Sequence, residues 1–387
     1  MSFAFISCKN SSNPNKDKGK ASPAGLPYHI DLEDNMKNVE SIPLSRIGEK
    51  IEYIPLETTP NSLVGNLNGV GLDLAKIIFC DSFIFISDGE KLLQFDRSGK
   101  FIKQIGTVGR GPGQYLEPIN FCIDEKKRNI YIINGRSVME FDFNGQYKRS
   151  SQYEWSSVLF MPMDTGNFIF YLSSFPDQTN NTVYSWYITD LQFKPVTKLV
   201  NFQKRVNRGA RIGWTPLYTF NESAHFMEFC ADTLFFLKNG SPEPYALFNL
   251  GKIKMDPDPV PTYDRIEDYN RLNQKLWPRF INESDKCMFL TLWWGFSDSA
   301  RYCVFNKQTL QTTFLKNKSF SNDLDGGPSF WPKYIYNDSI LVDFIYAEKL
   351  LSLIDKKRLE KQSISNRLQM VGKQITETSN PVLIVLN

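Results

Sequence analysis

The sequence predicts an all-β protein, a six-bladed β-propeller of four-stranded antiparallel blades with a helical insertion in the last blade. Three observations carry this. A phrase recurs, Phe95-Asp96-Arg97-Ser98-Gly99-Lys100-Phe101-Ile102 and Phe141-Asp142-Phe143-Asn144-Gly145-Gln146-Tyr147-Lys148, and Phe141 stands 46 residues after Phe95. The same offset lays Ile84-Phe85-Ile86-Ser87-Asp88 on Ile130-Tyr131-Ile132-Ile133-Asn134, and a period of this length marks a propeller blade. Aromatics make up 14% of the 387 residues, with 30 Phe and 17 Tyr, and large flat side chains suit packing between sheets.

Composition also excludes several classes. The net charge is +3 with no long basic run interleaved with aromatics, so nucleic acid is not an expected partner. No apolar run approaches the roughly 20 residues of a spanning helix. The six cysteines include no C-x-x-C pair and only two histidines, His29 and His225, accompany them, so no metal site and no cofactor are expected.

Taken in order, residues 1–24 divide into apolar Phe3-Ala4-Phe5-Ile6-Ser7-Cys8 and a polar, lysine-rich stretch from Lys9 to Lys20. This resembles the tail of a bacterial lipoprotein signal peptide with Ile6-Ser7-Cys8 as lipobox. The resemblance implies Cys8 as the lipid attachment site, a disordered tether after it, and membrane contact only through a lipid anchor. A single propeller domain is expected over 39–387. Ile51 to Glu57 alternates as a strand does, and so early a strand is suited to pair with the last blade and close the ring.

Blade one is expected over 63–106, with strands at 75–79, 83–87, 91–96 and 101–105. Gly106-Thr107-Val108-Gly109-Arg110-Gly111-Pro112-Gly113-Gln114-Tyr115 follows, dense in glycine but leading into another strand, Ile119 to Asp124. A phosphate-binding loop should open a helix, so this one reads as a connection between blades. Blade two covers 121–153, blade three 158–202, blade four 216–254 and blade five 279–320, with a short helix over 263–276. Blade six begins near Pro332. From 347 to 377, Leu350, Ile354, Ile364, Leu368 and Val371 fall at helical spacing, and Pro381 to Leu386 returns to strand text.

The order of strand, Phe-Asp-x-x-Gly-Lys-Phe, Ile-Gly-x-x-Gly-Arg-Gly-Pro-Gly-Gln-Tyr and a strand ending in Asp124 resembles the NHL-like six-bladed β-propeller lipoproteins of bacteria. Ile54-Pro55-Leu56-Glu57-Thr58 and Asn380-Pro381-Val382-Leu383-Ile384 resemble that family's opening and closing phrases. The resemblance implies a monomer in the bacterial cell envelope. Its motifs are turn and inter-blade residues, which speak to fold and not to activity.

A propeller's ligand site is expected over the channel, among inter-blade loops and loops joining second to third strands. Arg110, Arg136, Arg211, Trp214 and Trp294 are the candidate ligand residues, with Trp155, Arg208, Trp293 and Trp331 beside them. Tryptophan faces stack on sugars and arginine forks suit carboxylates. His225 sits in apolar strand text and reads as core. No G-x-S-x-G elbow occurs, and the acidic pairs Asp256/Asp258 and Asp323/Asp325 are flanked by turn formers. The expected function is an envelope-anchored module binding a glycan, peptide or protein, without catalysis. The alternative is a carbohydrate-active lyase or hydrolase with its site over the channel.

Overall fold

The computed structural model describes residues 25–67, 76–116, 118, 120–155, 157, 159–163, 166–172, 182–201, 215–228, 230–255, 274–295 and 299–387. They form six sheets in a ring, each with four antiparallel strands, consecutive in the chain in five of them, and the innermost strand of every sheet touches those of its two neighbours. Blade one holds Lys76–Phe79, Phe83–Ser87, Leu92–Asp96 and Phe101–Ile105. Blade two holds Asn120–Asp124, Asn129–Asn134, Ser137–Asp142 and Tyr147–Gln152. Blade three runs from Leu159 to Val200, blade four from Leu217 to Asn249 and blade five from Leu276 to Leu315.

A blade is covered on both faces, so its middle strands need apolar residues at every position. Asn129–Asn134 is buried along nearly its whole length, whereas the outermost strand Tyr147–Gln152 is almost wholly exposed. The recurring phrase is the turn into that outermost strand. In blade one, Asp96 Oδ1 accepts from the N–H groups of Ser98 and Lys100, and Gly99 takes φ +89°. In blade two, Asp142 Oδ1 accepts from Gln146 and Gly145 takes φ +76°. Asp caps its own turn and glycine supplies the left-handed step. Blade three keeps the device with Asp190 accepting from Gln192 and Lys194, but Phe193 occupies the left-handed position at φ +60°.

The amino-terminal segment is a strap around the outer rim. Strand β1 (Tyr28–Asp31) lies parallel to the outermost strand of blade four, and β2 (Val39–Glu40) lies parallel to that of blade five. Strand β3 (Ile51–Pro55) pairs antiparallel with Val382–Leu386 and is the outermost strand of blade six. Ring closure by Ile51–Pro55 is thus as expected. Regular structure joins the propeller already at Tyr28, ahead of the boundary at 39, because Tyr28 and Ile30 bury one face of a short alternating strand.

Helices α1 (Ala347–Leu359) and α2 (Asn366–Gln374) join the second strand of blade six to its third. The Ser365 side chain caps α2 by accepting from Leu368 N–H at 3.1 Å. Leu350, Ile354, Leu368 and Val371 pack into a cluster with Tyr53, Phe320 and Trp331. The helix expected over 263–276 falls largely outside the described residues, and Leu276 instead opens the first strand of blade five. No helix among the described residues is long and apolar enough to cross a membrane.

Candidate functional site

The two ends of the channel differ. At one end lie the turns joining first to second strands, and they bond across the ring. Asp81 N–H of blade one donates to Glu125 Oε1 of blade two at 2.5 Å, and Tyr336 of blade six donates its hydroxyl to Asp81. Asn221 N–H of blade four reaches past blade five to Asp338 Oδ2 of blade six at 3.0 Å, while Asp285 N–H of blade five donates to the Asp338 carbonyl at 2.7 Å. Lys126 and Glu222 join blades two and four at 3.5 Å. Turns from non-adjacent blades can meet only over the channel, so hydrogen bonds and one exposed ion pair cross this mouth. Asn221, Glu222, Asn337 and Asp338 all have positive φ, the two-residue hairpin geometry that lets these turns be so tight.

The other end carries the inter-blade connections and the loops between second and third strands. The glycine-rich loop after blade one is a blade connection, as its sequence suggests. Tyr115 is buried, donates its hydroxyl to the Ile105 carbonyl at 3.0 Å and accepts from Leu92 N–H at 3.2 Å. A Cβ on Gly106 would stand 2.7 Å from that tyrosine ring. The loop amides bond within the loop: Gly109 N–H to the Tyr115 carbonyl and Gly111 N–H to Gln114 Oε1, both at 2.9 Å.

Arg110 is exposed in this loop and Arg136 is exposed at the turn between the second and third strands of blade two. Trp294 is on blade five, on the opposite side of the ring, and is partly buried against the core between blades four and five. The structure therefore brings Arg110 and Arg136 into one sector and leaves Trp294 apart from them as a packing residue. Arg211, Trp214, Arg208 and Cys8 lie outside the described residues. Trp331 is buried in the core beside α1 and α2. Trp155 is partly exposed, packed edge-on to Phe170 and Tyr187 at 5.6 and 5.1 Å, and its indole N–H has no acceptor among the described residues.

Two cations on innermost strands escaped sequence reasoning. Arg279 stands at a bulge between Pro278 and Phe280 and stacks its guanidinium over Trp293 at 3.5 Å. Bulges re-aim side chains, and an arginine amid apolar strand text was the available signal. Lys76 opens the innermost strand of blade one at the loop end. Its ammonium donates to the Phe121 carbonyl at 2.9 Å and to Asn120 Oδ1 at 3.3 Å, and burial pulls its pKa below the ordinary lysine value.

His225 is sealed between blades four and five. Its ring stacks on Tyr218 at 5.2 Å and meets Tyr245 edge-on at 4.4 Å, and burial holds its pKa down at about 4. Beside it, Glu283 is buried and accepts from the Tyr218 and Tyr245 hydroxyls at 2.6 and 2.5 Å while pairing with Lys307 at 2.5 Å. Burial pushes the Glu283 carboxyl up and the Lys307 ammonium down, and their pairing opposes both shifts. All five cysteines from Cys80 to Cys303 are buried free thiols. No group of metal-ligating side chains occurs among the described residues.

Over residues 27–387 the chain matches a domain of unknown function, DUF4934, and it belongs to that family. No curated protein matches it. An exported protein from Bacteroides fragilis has a similar structure, with 16% identity, 93% of this chain and 99% of that one covered, and a TM-score of 0.68. A member of the duf4221 family from Bacteroides vulgatus is also similar, at 12% identity, covering 69% of this chain and 84% of that one with a TM-score of 0.49. The first likeness establishes a shared fold.

Proposed function

We propose that this member of the DUF4934 family is a non-catalytic binding module of the cell envelope, of the NHL-like lipoprotein kind, which takes a glycan on its loop face. The observation that carries this reading is the difference between the two mouths: hydrogen bonds join the turns of non-adjacent blades at one, while Arg110 and Arg136 stand exposed in loops at the other. Such loop clusters on a rigid ring are where propeller-type scaffolds place recognition. His225 lies sealed inside an inter-blade core, which favours binding over catalysis. The apolar stretch ending in Cys8 and the polar stretch after it support a lipid-anchored, exported protein, and the similar exported protein agrees with that location.

A glycan array and a peptide array probed with the folded body test the reading. Binding to a set of glycans is expected, and the R110A/R136A pair, both exposed and so harmless to folding, should weaken it several-fold. Silence on both arrays sinks the proposal. Turnover of a bound oligosaccharide would replace it with a carbohydrate-active enzyme.

A further inference from the structure

Residues 347–374 concentrate the charge of the molecule. This stretch, made of α1, α2 and the turn between them, carries seven lysines and arginines against three carboxylates, Glu348, Asp355 and Glu360, an excess of four. The whole chain has an excess of three, so the rest of it is slightly acidic. Six of these cations, Lys349, Lys356, Arg358, Lys361, Arg367 and Lys373, are exposed. Three have a carboxylate in reach: Lys356 stands 3.9 Å from Glu360, Arg358 3.1 Å from Asp355 and Arg367 3.7 Å from Glu52. Water reaches all three pairs, so each is weak and easily exchanged for another anion.

The same patch bears two bare apolar side chains. Leu359, at 83%, is the most exposed large hydrophobic among the described residues, and Met370 is 60% exposed. The helices bury Leu350, Ile354, Leu368 and Val371 in one shared cluster, and a Cβ on Gly372 of α2 would stand 2.8 Å from Ile354 Cδ1 of α1. They therefore lie side by side on one core, with their other sides turned to solvent together. On α1 that side carries Lys349, Lys356 and Leu359, and on α2 Arg367, Met370 and Lys373, at spacings of seven and three that keep each set on one face.

We propose that this helical pair is a docking face for an anionic phospholipid surface, an inference that draws on the envelope location above and is independent of glycan binding. Clustered lysines and arginines are drawn to anionic headgroups, and apolar side chains among them enter the boundary between headgroups and acyl chains. Protein interfaces have the reverse composition, with lysine depleted around an apolar centre. Here Leu359 and Met370 stand singly among cations. A soluble polyanion would satisfy the cations and leave both apolar side chains in water.

The test is co-sedimentation of the 387-residue chain, carrying Cys8→Ser so that no acyl chain contributes, with vesicles of phosphatidylcholine alone and of phosphatidylcholine mixed with phosphatidylglycerol. Binding about tenfold tighter to the anionic vesicles is expected, and raising salt from about 0.1 M to about 1 M, which cuts the screening length from about 10 to about 3 Å, should release it. Reversing three exposed lysines, K356E/K361E/K373E, should abolish the preference and leave the thermal midpoint little changed, since none of the three is buried. A second variant reports insertion. Leu359→Cys carries a polarity-sensitive dye, for which the buried thiols from Cys80 to Cys303 do not compete, and its emission should shift to the blue on the anionic vesicles alone. Equal binding to both kinds of vesicle, a preference that survives the triple reversal, or an unshifted dye overturns the inference. So does lysine-dependent binding of soluble polyglutamate as tight as vesicle binding, which would make the partner an acidic protein. None of these outcomes bears on the glycan arrays.

Discussion

Between blades one and two the core is hydrocarbon, and polar contacts such as Lys76 to the Phe121 carbonyl and Asp81 to Glu125 stand at its ends. Phe85 meets Phe143 at 5.3 Å, and Ile105, Tyr115, Phe121, Ile130, Ile132, Met139 and Phe141 fill the remaining space. Between blades four and five the core holds apolar residues and, at one end, an ion pair, two tyrosine hydroxyls and a neutral histidine, with Tyr28 of the strap packed on Tyr245 at 5.6 Å. Both interfaces join the same kind of sheets. The first is held by volume and shape, which tolerate conservative change. The second adds to its apolar cluster a buried group in which Glu283, Lys307 and the Tyr218 and Tyr245 hydroxyls satisfy one another, so that each of these depends on the others.

The sharpest way to break the comparison is Glu283→Ala. It leaves the Lys307 ammonium buried without its partner and two hydroxyls without their acceptor, and should cost about 3–5 kcal/mol in denaturant unfolding, with Lys307→Met in the same chain recovering a substantial part. Recovery of nothing would show that the network is only a packing feature. Next, Phe85→Ala should cost about 3–4 kcal/mol through lost burial and cavity, with no second-site polar rescue.

His225 distinguishes the two interfaces by pH. Its pKa is about 4 in the fold and near 6.5 in the unfolded chain, so the unfolded state binds the extra proton. Stability is complete above pH 6.5 and falls as pH drops from there towards 4, by on the order of 3 kcal/mol from this group. His225→Phe should flatten that slope while leaving stability at pH 7 within about 1.5 kcal/mol, and an unchanged slope in unfolding midpoints between pH 7 and 4 would exclude the histidine. The smallest effect is expected at the seam between blade one and the strap. Gly99 sits at φ +89° and a Cβ there would lie 2.3 Å from the Pro55 carbonyl, so Gly99→Ala should cost about 1–2 kcal/mol, read as a lowered thermal midpoint.

The first interface was legible in the sequence because its residues lie in two consecutive copies of the repeat and are apolar at successive strand positions. The turn phrase was legible for the same local reason, and its copy in blade three was lost when Phe193 took the place of glycine. Glu283 was not legible. At the end of a strand before Ser284 and Asp285 it reads as the start of a turn, and its partners Tyr218 and Tyr245 lie far upstream. The bonds across that mouth were hidden likewise, since Asn221-Glu222 and Asn337-Asp338 look like ordinary hairpin turns and only the ring brings the first to the second. Among candidate site residues, exposure of Arg110 and Arg136 agreed with their loop text. Lys76 went unnoticed because a single lysine before Ile77-Ile78-Phe79 looks like a strand boundary, and only the adjoining blade shows what it touches.

The strap also dictates an order of events as the chain is made. Tyr28–Asp31, Val39–Glu40 and Ile51–Pro55 emerge first, yet their partners are outermost strands of blades four and five and the last strand of the protein. Contacts between such distant positions carry the largest loop-closure cost and form slowly. Until Ile51–Pro55 docks, Val382–Leu386, five buried apolar residues in the finished ring, presents an open edge. An unpaired apolar edge is a template for another chain, so the last hydrogen-bonded ladder to form is also the one that ends the molecule's exposure to aggregation.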